Sequence, residues 1–207
     1  MPYSFAMDSF RITDTRSLHK DTDYVSISVA LGSAAPVTKV KAMGDLNNGT
    51  FKPNLSIDNV VVGPTTPVVF SYTIINNGHG SKVKVEQALQ QAGTQLAQKA
   101  AEAASKAIGA EIGSLLGASI GTAAVPIVGT ALGALTGWLV GEVGTILFAN
   151  CDGPVAAGVH VFTGAELASQ TASNKAITQT DHNPGTDSPH GCGRNSNYFV
   201  TWSIRTT

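Results

Sequence analysis

The sequence has little charge, few aromatic residues and only two cysteines. Charged residues make up 13% of its 207 positions, about half of the roughly 25% that is usual in soluble domains. The net charge is −1, which excludes the strongly basic surface of a nucleic-acid-binding protein, so we expect no nucleic-acid partner. Low charge together with 22 glycines is more typical of coats, secreted modules and membrane-active proteins than of cytosolic enzymes.

The N-terminal segment also lacks the pattern of a secretory signal peptide. Residues 1–16 contain neither a basic beginning nor an unbroken apolar stretch. We therefore expect a soluble form that leaves the cell, if it does so, by a non-classical route such as lysis or a dedicated machine.

What the sequence does contain, at both ends, is the pattern of β-strands. Short runs rich in Val, Ile, Thr, Tyr and Phe are separated by turn clusters such as Asn47-Asn48-Gly49. This spacing predicts an antiparallel β-sandwich formed by residues 1–80 and 151–207. A segment at 164–171 predicts one or two helical turns, and residues 181–197 predict a polar loop. The predicted strands cover residues 5–13, 23–31, 36–43, 51–62, 66–75, 155–164 and 198–206.

Between these two regions lies an inserted helical region, residues 81–150. Its first part, 81–106, is rich in Ala, Gln, Lys and Glu and contains no proline, which predicts an amphipathic helix. The apolar positions at helical spacing are Val85, Leu89, Ala92 and Leu96. The polar face carries Glu86, Gln90, Gln91, Gln95, Lys99 and Glu102. We interpret this helix as a stalk, or as a cover for the apolar segment that follows, and the fold class as α+β.

The second part, 107–149, is almost wholly apolar and carries two glycine ladders. Both ladders keep a strict four-residue spacing: Gly109, Gly113, Gly117 and Gly121, then Gly129, Gly133, Gly137 and Gly141. A glycine inside a helix costs about 1 kcal/mol relative to alanine. Close approach between helix backbones is the compensation that such spacing provides in membranes. The ladders therefore predict a glycine-zipper pair of helices.

Pro126 lies midway between the two ladders and predicts the turn of a helical hairpin, since proline cannot continue a helix. Folding there brings Glu111 and Glu142 to the open base, and residues 112–141 between them carry no charge. The legs 107–124 and 127–148 would reach about 27 and 33 Å at 1.5 Å per residue, close to the ~30 Å hydrocarbon core of a bilayer. Trp138 would lie near the base, where membrane proteins place interfacial anchors.

The apolar hairpin resembles the hydrophobic hairpins of α-pore-forming toxins and colicin-type bacteriocins. The resemblance covers residues 107–149 only and is a physical pattern, not a sequence motif. It implies a soluble form that shields the hairpin, a β domain that binds a receptor or lipid, and an oligomeric form in the membrane.

These patterns predict a membrane-active, pore-forming, toxin-like protein that oligomerises at a target membrane, with Glu111 and Glu142 at the pore mouth. The expected partners are a lipid membrane, further copies of the chain, and a surface receptor or glycan. Two alternatives stay open. One is a self-assembling structural or adhesion protein whose glycine ladders pack subunits in water. The other is a carbohydrate- or ligand-binding β-sandwich.

The sequence predicts no catalytic, cofactor-binding or metal-binding residues, and we expect no enzyme activity. We considered a zinc site in the polar loop, with ligands from His182, Asp187, His190 and Cys192, and from Cys151. The spacing of these residues along the chain matches no established zinc-binding pattern, so we do not predict one. A disulfide between Cys151 and Cys192 and a pair of reduced thiols remain equal alternatives. Carboxylates near strand ends can bind calcium, but solvated turn residues explain them better; these are Asp8, Asp14, Asp21, Asp23 and Asp58.

Overall fold

The computed structural model describes residues 1–17, 20–112, 152–184 and 196–207. Within these ranges the chain forms nine strands, two α-helices and one 3₁₀ turn at Ala172–Asn174. The strands are β1 (Pro2–Asp14), β2 (Asp21–Leu31), β3 (Val37–Leu46), β4 (Gly49–Phe51), β5 (Leu55–Val61), β6 (Pro67–Asn76), β7 (Gly153–Thr163), β8 (Ile177–Pro184) and β9 (Asn197–Thr206). The helices are α1 (Lys82–Ile112) and α2 (Gly164–Gln170).

The strands form two antiparallel sheets that pack as a sandwich. Sheet A has the order β4-β1-β9-β8, with β5 also paired to β1, and sheet B has the order β3-β2-β6-β7. Strands from both ends of the chain contribute to each sheet, so the predicted α+β fold with a sandwich built from N- and C-terminal segments is confirmed.

The two ends of the chain meet in the middle of sheet A. Strand β1 pairs with β9 from Tyr3 opposite Thr206 to Asp14 opposite Asn197. Because this pairing runs along nearly the whole of both strands, sheet A is complete only when β9 is in place.

Alternating side chains from the two sheets form one large core. Its interior is rich in aromatic rings, among them Phe5, Phe10, Phe70, Tyr72 and Trp202, each at most 1% exposed. Strand β2 contributes Val25, Ile27 and Val29 from one face, as the period of two predicts. Burial of large apolar side chains here is the main stabilisation of the sandwich.

Helix α1 adds a third layer on the outer face of sheet B. The predicted apolar stripe is buried: Val85, Leu89 and Leu96 are 0% exposed and pack with Tyr24 and Ile75. The helix therefore covers the face of β2 that carries Tyr24, Ser26, Ser28 and Ala30, and β2 is buried on both faces. The stripe is occupied by sheet B, so the interpretation of the helix as a cover for the apolar segment finds no support in its described contacts.

The prediction of a polar loop over residues 181–197 was wrong at its beginning. Residues 177–184 form β8, which pairs with β9 from Ile177 opposite Ile204 to Pro184 opposite Asn197. Only two of its residues, Ile177 and Pro184, look apolar, because one face of this edge strand is open to solvent. Its polar sequence therefore carries little of the signal by which strands are recognised.

Candidate functional site

Residues 77–80 leave sheet B, and residues 152–153 enter it again, at the same place. Strands β6 and β7 are neighbours in sheet B, and their last pair is Asn76 opposite Gly153. Residues 77–152 connect these two strands along the chain, and we call this segment the excursion. We call the two ends of this excursion, residues 77–80 and 152–153, the neck.

Asp152 ties the two ends of the neck together. Its Oδ1 accepts a hydrogen bond of 2.9 Å from the Gly78 backbone N–H, and its Oδ2 lies 3.1 Å from Nδ1 of His79. Asp152 is 4% exposed, while the His79 side chain is 56% exposed. A backbone bond of 2.9 Å from Asn77 N–H to the Thr22 carbonyl fixes the neck to the beginning of β2.

Arg16 packs against the neck at Gly153. Its Nη1 donates a 3.2 Å hydrogen bond to the Pro154 carbonyl. A Cβ on Gly153 would lie 3.0 Å from three guanidinium atoms, so the absence of a side chain there lets Arg16 reach this position. Burial lowers the pKa of Arg16, and the nearby Asp21 and Asp152 carboxylates oppose that effect.

Two fully buried carboxyl groups lie beside Arg16 at the same end of the sandwich. Asp21 accepts backbone N–H groups from Arg16 and Ser17 at 2.8 Å each. The Tyr198 hydroxyl lies 2.8 Å from Asp21 Oδ2 and 2.9 Å from Asp23 Oδ2. Burial, and then the charge of Asp21, raise the pKa of Asp23 well above its usual value. A neutral Asp23 can donate its proton to the Tyr198 oxygen while Tyr198 donates to Asp21.

A second polar cluster joins the two sheets at the β7–β8 side. Oδ2 of Asp181 accepts hydrogen bonds from Tyr72 at 2.8 Å and Trp202 at 3.0 Å, and lies 2.8 Å from His160 Nε2. Burial raises the pKa of Asp181, but the hydrogen bond and charge of His160, with the other two donors, outweigh it and hold the pKa below its usual value. Tyr72, His160 and Trp202 thus share one acceptor, Asp181, and hold the two sheets together. We call this cluster the tie.

The open face of sheet A bears on the carbohydrate-binding alternative. Arg11, Phe199 and His182 are cross-strand neighbours on three strands. The Arg11 guanidinium carbon lies 4.3 Å from the Phe199 ring centroid, and the His182 ring stacks on Phe199 at 4.4 Å and 11°. The Phe199 ring is therefore flanked from both neighbouring strands, which leaves it unsuited as a platform for a sugar ring.

Most of the predicted site residues lie outside the described part of the chain. Gly109 and Glu111 lie within α1 (Lys82–Ile112). The predicted residues that lie outside the described ranges are Gly113, Gly117, Gly121, Pro126, Gly129, Gly133, Gly137, Trp138, Gly141, Glu142, Cys151 and Cys192. The hairpin, the pore-mouth pair and the disulfide therefore stay predictions.

Sequence reasoning missed the buried polar clusters around Asp152, Asp181 and Tyr198. Asp21 and Asp23 are buried partners of Tyr198, not solvated turn residues. By contrast, Asp8 pairs with Arg205 at 2.9 Å on the surface. The one available signal was alternation: Asp21 and Asp23 share the odd positions of β2 with Val25, Ile27 and Val29.

Comparison of the chain with protein-family models, with curated proteins and with solved structures finds no match. Among the described residues, no helix combines the length and apolar character that crossing a bilayer requires. The same ranges hold no group of three or more His, Cys, Asp or Glu side chains arranged to bind a metal ion.

Proposed function

We propose that this protein is membrane-active: the sandwich carries the apolar part of the excursion to a target bilayer, where several copies associate and open a pore. The observation that carries the proposal is the neck. Because Asn76 and Gly153 are paired neighbours, the excursion can move relative to the sandwich without breaking any strand pairing among the described residues.

The second support is the sequence of the excursion itself. Residues 112–141 carry no charge, and the glycine ladders offer a close-packing surface to a second helix. Helix α1 (Lys82–Ile112) lies directly before this segment in the chain. A water-exposed charge-free segment of this length would be unfavourable, and transfer to a bilayer removes that apolar surface from water.

The test is dye release from liposomes, run beside flotation of the protein with the same liposomes. We expect release together with flotation. The Gly117→Leu/Gly133→Leu double variant makes the segment more apolar but blocks close helix approach. It should float as well as the unchanged protein or better, and release dye at least about tenfold more slowly, since a packing surface has been lost.

The matched control is Ala118→Leu with Ala134→Leu, which adds comparable apolar bulk one residue away from each ladder. We expect this control to release dye at nearly the unchanged rate. Equal loss in both double variants would remove the argument from the ladders.

The absence of both release and flotation across several lipid compositions and pH values would overturn the membrane proposal. Large particles without lipid, measured by analytical ultracentrifugation, would then support the self-assembling alternative. Sugar-dependent retention on a glycan surface would support the ligand-binding one.

A further inference from the structure

The contact between α1 and sheet B has a polar centre. Four small hydroxyl residues of β2 and β6 lie under the helix and are at most 1% exposed; we call them the hydroxyl seam: Ser26, Ser28, Ser71 and Thr73. They form two cross-strand pairs, Ser26 opposite Thr73 and Ser28 opposite Ser71. Gly93 of α1 lies directly over the seam, since a Cβ there would be 3.0 Å from Ser28 Oγ and 3.4 Å from Ser26 Oγ.

Two hydroxyls of the seam have no hydrogen-bond partner. Ser26 Oγ and Thr73 Oγ1 are buried and unpaired. A buried hydroxyl without a partner costs free energy that it recovers when water reaches it. Separation of α1 from sheet B would therefore restore hydrogen bonds to these two groups, whereas separation of the two sheets would expose the aromatic core.

The apolar part of the same contact buries little surface area along the later turns of α1. Along the second half of the described α1 side chains, the buried residues against Ala30, Val69 and Val161 are all alanines: Ala97, Ala100, Ala101 and Ala104. An alanine removes far less apolar area from water than a leucine or phenylalanine does, and apolar stabilisation scales with that area. The larger anchors, Val85, Leu89 and Leu96, all precede these alanines in the helix.

The sandwich core does not depend on α1. The buried cluster between the sheets includes no residue of the helix, and both sheets are completed by strand–strand pairing alone. The neck is held by its own bonds through Asp152. Loss of α1 from sheet B would thus leave this core and the strand pairing intact, and would expose Tyr24, Ile75, Ala30 and Val69 together with the hydroxyl seam.

We propose that α1 undocks from sheet B as a unit while the sandwich stays folded, and that this undocking releases the excursion for the bilayer. The second half of the proposal rests on the proposed membrane activity. The first half is a property of the protein in water and is tested without lipid.

Native-state hydrogen exchange tests the undocking itself. Amides of α1 between residues 85 and 104 should exchange at least about tenfold faster than those at the centres of β6 and β9, in an opening smaller than global unfolding. Exchange of α1 at the same rate as β6 and β9, with the same denaturant dependence, would overturn the proposal.

A disulfide staple tests the link to membrane activity. In a Cys151→Ser/Cys192→Ser background, Ser28→Cys with Gly93→Cys places the two residues in bonding reach. The 3.0 Å from a Cβ at 93 to Ser28 Oγ is about the separation of a Cβ from the far sulfur of a disulfide. The oxidised protein should release dye at least about tenfold more slowly than the same protein after reduction, and each single-cysteine variant should be insensitive to reductant.

The outcomes separate the two proposals. Equal release by oxidised and reduced protein would overturn the undocking step and leave membrane activity standing. No release by the reduced protein or by the background variant would overturn the membrane proposal, and hydrogen exchange would then decide undocking alone.

A variant that weakens the docking of α1 on sheet B should speed dye release, whereas the disulfide should slow it. Gly93→Leu raises helix propensity but sets side-chain atoms against the hydroxyl seam, so it should increase the rates of α1 exchange and dye release at least about threefold. Gln95→Leu adds the same side chain on the exposed face of α1 and should change neither. Faster exchange of α1 in Gln95→Leu, or unchanged exchange in Gly93→Leu, would contradict the docking geometry.

Discussion

At the scale of single residues, the described part of the molecule shows how a carboxyl group can be placed inside a β-sandwich. Asp21 is supported by two backbone N–H groups and the Tyr198 hydroxyl. Asp23 has only the tyrosine, and its Oδ1 has no partner. Two neighbouring carboxyl groups therefore differ in what their environment supports: Asp21 is hydrogen-bonded as a carboxylate, and Asp23 is stabilised in the neutral form.

Asp23→Asn should make the protein less sensitive to alkaline pH. The folded-state pKa of Asp23 is raised above 3.8, so its contribution to stability is fully present below the unfolded value and is lost as pH rises through the folded pKa. Asparagine carries no charge at any pH and keeps the volume. We expect the melting temperature of Asp23→Asn to exceed that of the unchanged protein by an amount that grows from acid to mildly alkaline pH.

The matched variant is Asp21→Asn, one position along the same face of β2. An asparagine there turns an N–H donor toward groups that are themselves donors, so we expect a loss of about 1–3 kcal/mol near neutral pH. A parallel pH profile for Asp23→Asn and the unchanged protein would show that Asp23 is not the group that titrates.

At the scale of elements, helix α2 begins with a capping box formed by near neighbours and is held in place by one buried side chain. Thr163 caps the helix: its Oγ1 accepts from the Glu166 N–H at 3.2 Å, and Glu166 Oε2 accepts from the Thr163 N–H at 2.7 Å. This reciprocal capping box satisfies two of the amides that a helix start leaves free. The helix is short and is held to the sandwich by Leu167, which is 0% exposed.

Thr163→Ala should lower the free energy of unfolding by about 1 kcal/mol, because the cap hydroxyl is lost. Urea denaturation followed by circular dichroism measures the change. Thr163→Ser retains the hydroxyl and should recover most of the loss, while Ser169→Ala, at an exposed position of the same helix, should stay within about 0.5 kcal/mol. Equal destabilisation by the alanine and serine variants at 163 would assign the effect to packing of the threonine methyl group.

Helix α1 and strand β8 differ in how well their sequences predict them. Val85, Leu89, Ala92 and Leu96 repeat at the helical period, so the helix and its buried stripe were predictable from neighbours within one turn. Strand β8 was not, since it lies at a sheet edge with alternate positions in solvent. Its assignment depends on β9, a strand that follows it in the chain and completes its hydrogen bonds.

At the scale of the whole molecule, the two sheets are joined by the aromatic core and by the tie at Asp181. The tie collects donors from β6, β7 and β9 on one carboxylate of β8, and so spans both sheets. The His160 and Trp202 rings also contact each other at 4.2 Å between centroids. The β7–β8 side of the sandwich thus closes through side chains, because no backbone pairing links the two edge strands.

Asp181→Asn should destabilise the whole sandwich by about 1–3 kcal/mol, because charge-assisted hydrogen bonds become neutral ones. Its lowered folded-state pKa means that the stabilisation is present above the unfolded value of 3.8 and is lost as pH falls through the folded pKa. The variant should therefore differ most from the unchanged protein near neutrality and converge with it in acid. Thermal unfolding monitored by near-ultraviolet circular dichroism measures both.

Asp58→Asn is the matched control for that experiment. Asp58 accepts from Ser4 and Ser56 but is exposed on the open face of sheet A. The same substitution there should change stability by no more than about 0.5 kcal/mol. A loss at Asp58 equal to that at Asp181 would mean that the tie contributes no more than a surface hydrogen bond.

The sequence alone determined the features that depend on near neighbours. The strand runs, the amphipathic stripe of α1 and the glycine ladders are all periodic over a few residues, and their physical reason is backbone geometry. The tertiary structure decided the features that join distant parts of the chain. Tyr198 reaches Asp21 across 177 positions, Asp181 reaches Tyr72 across 109, and the neck closes where β6 meets β7. No local pattern encodes such pairs, because a polar side chain is stabilised inside a protein only by the partner that folding brings to it.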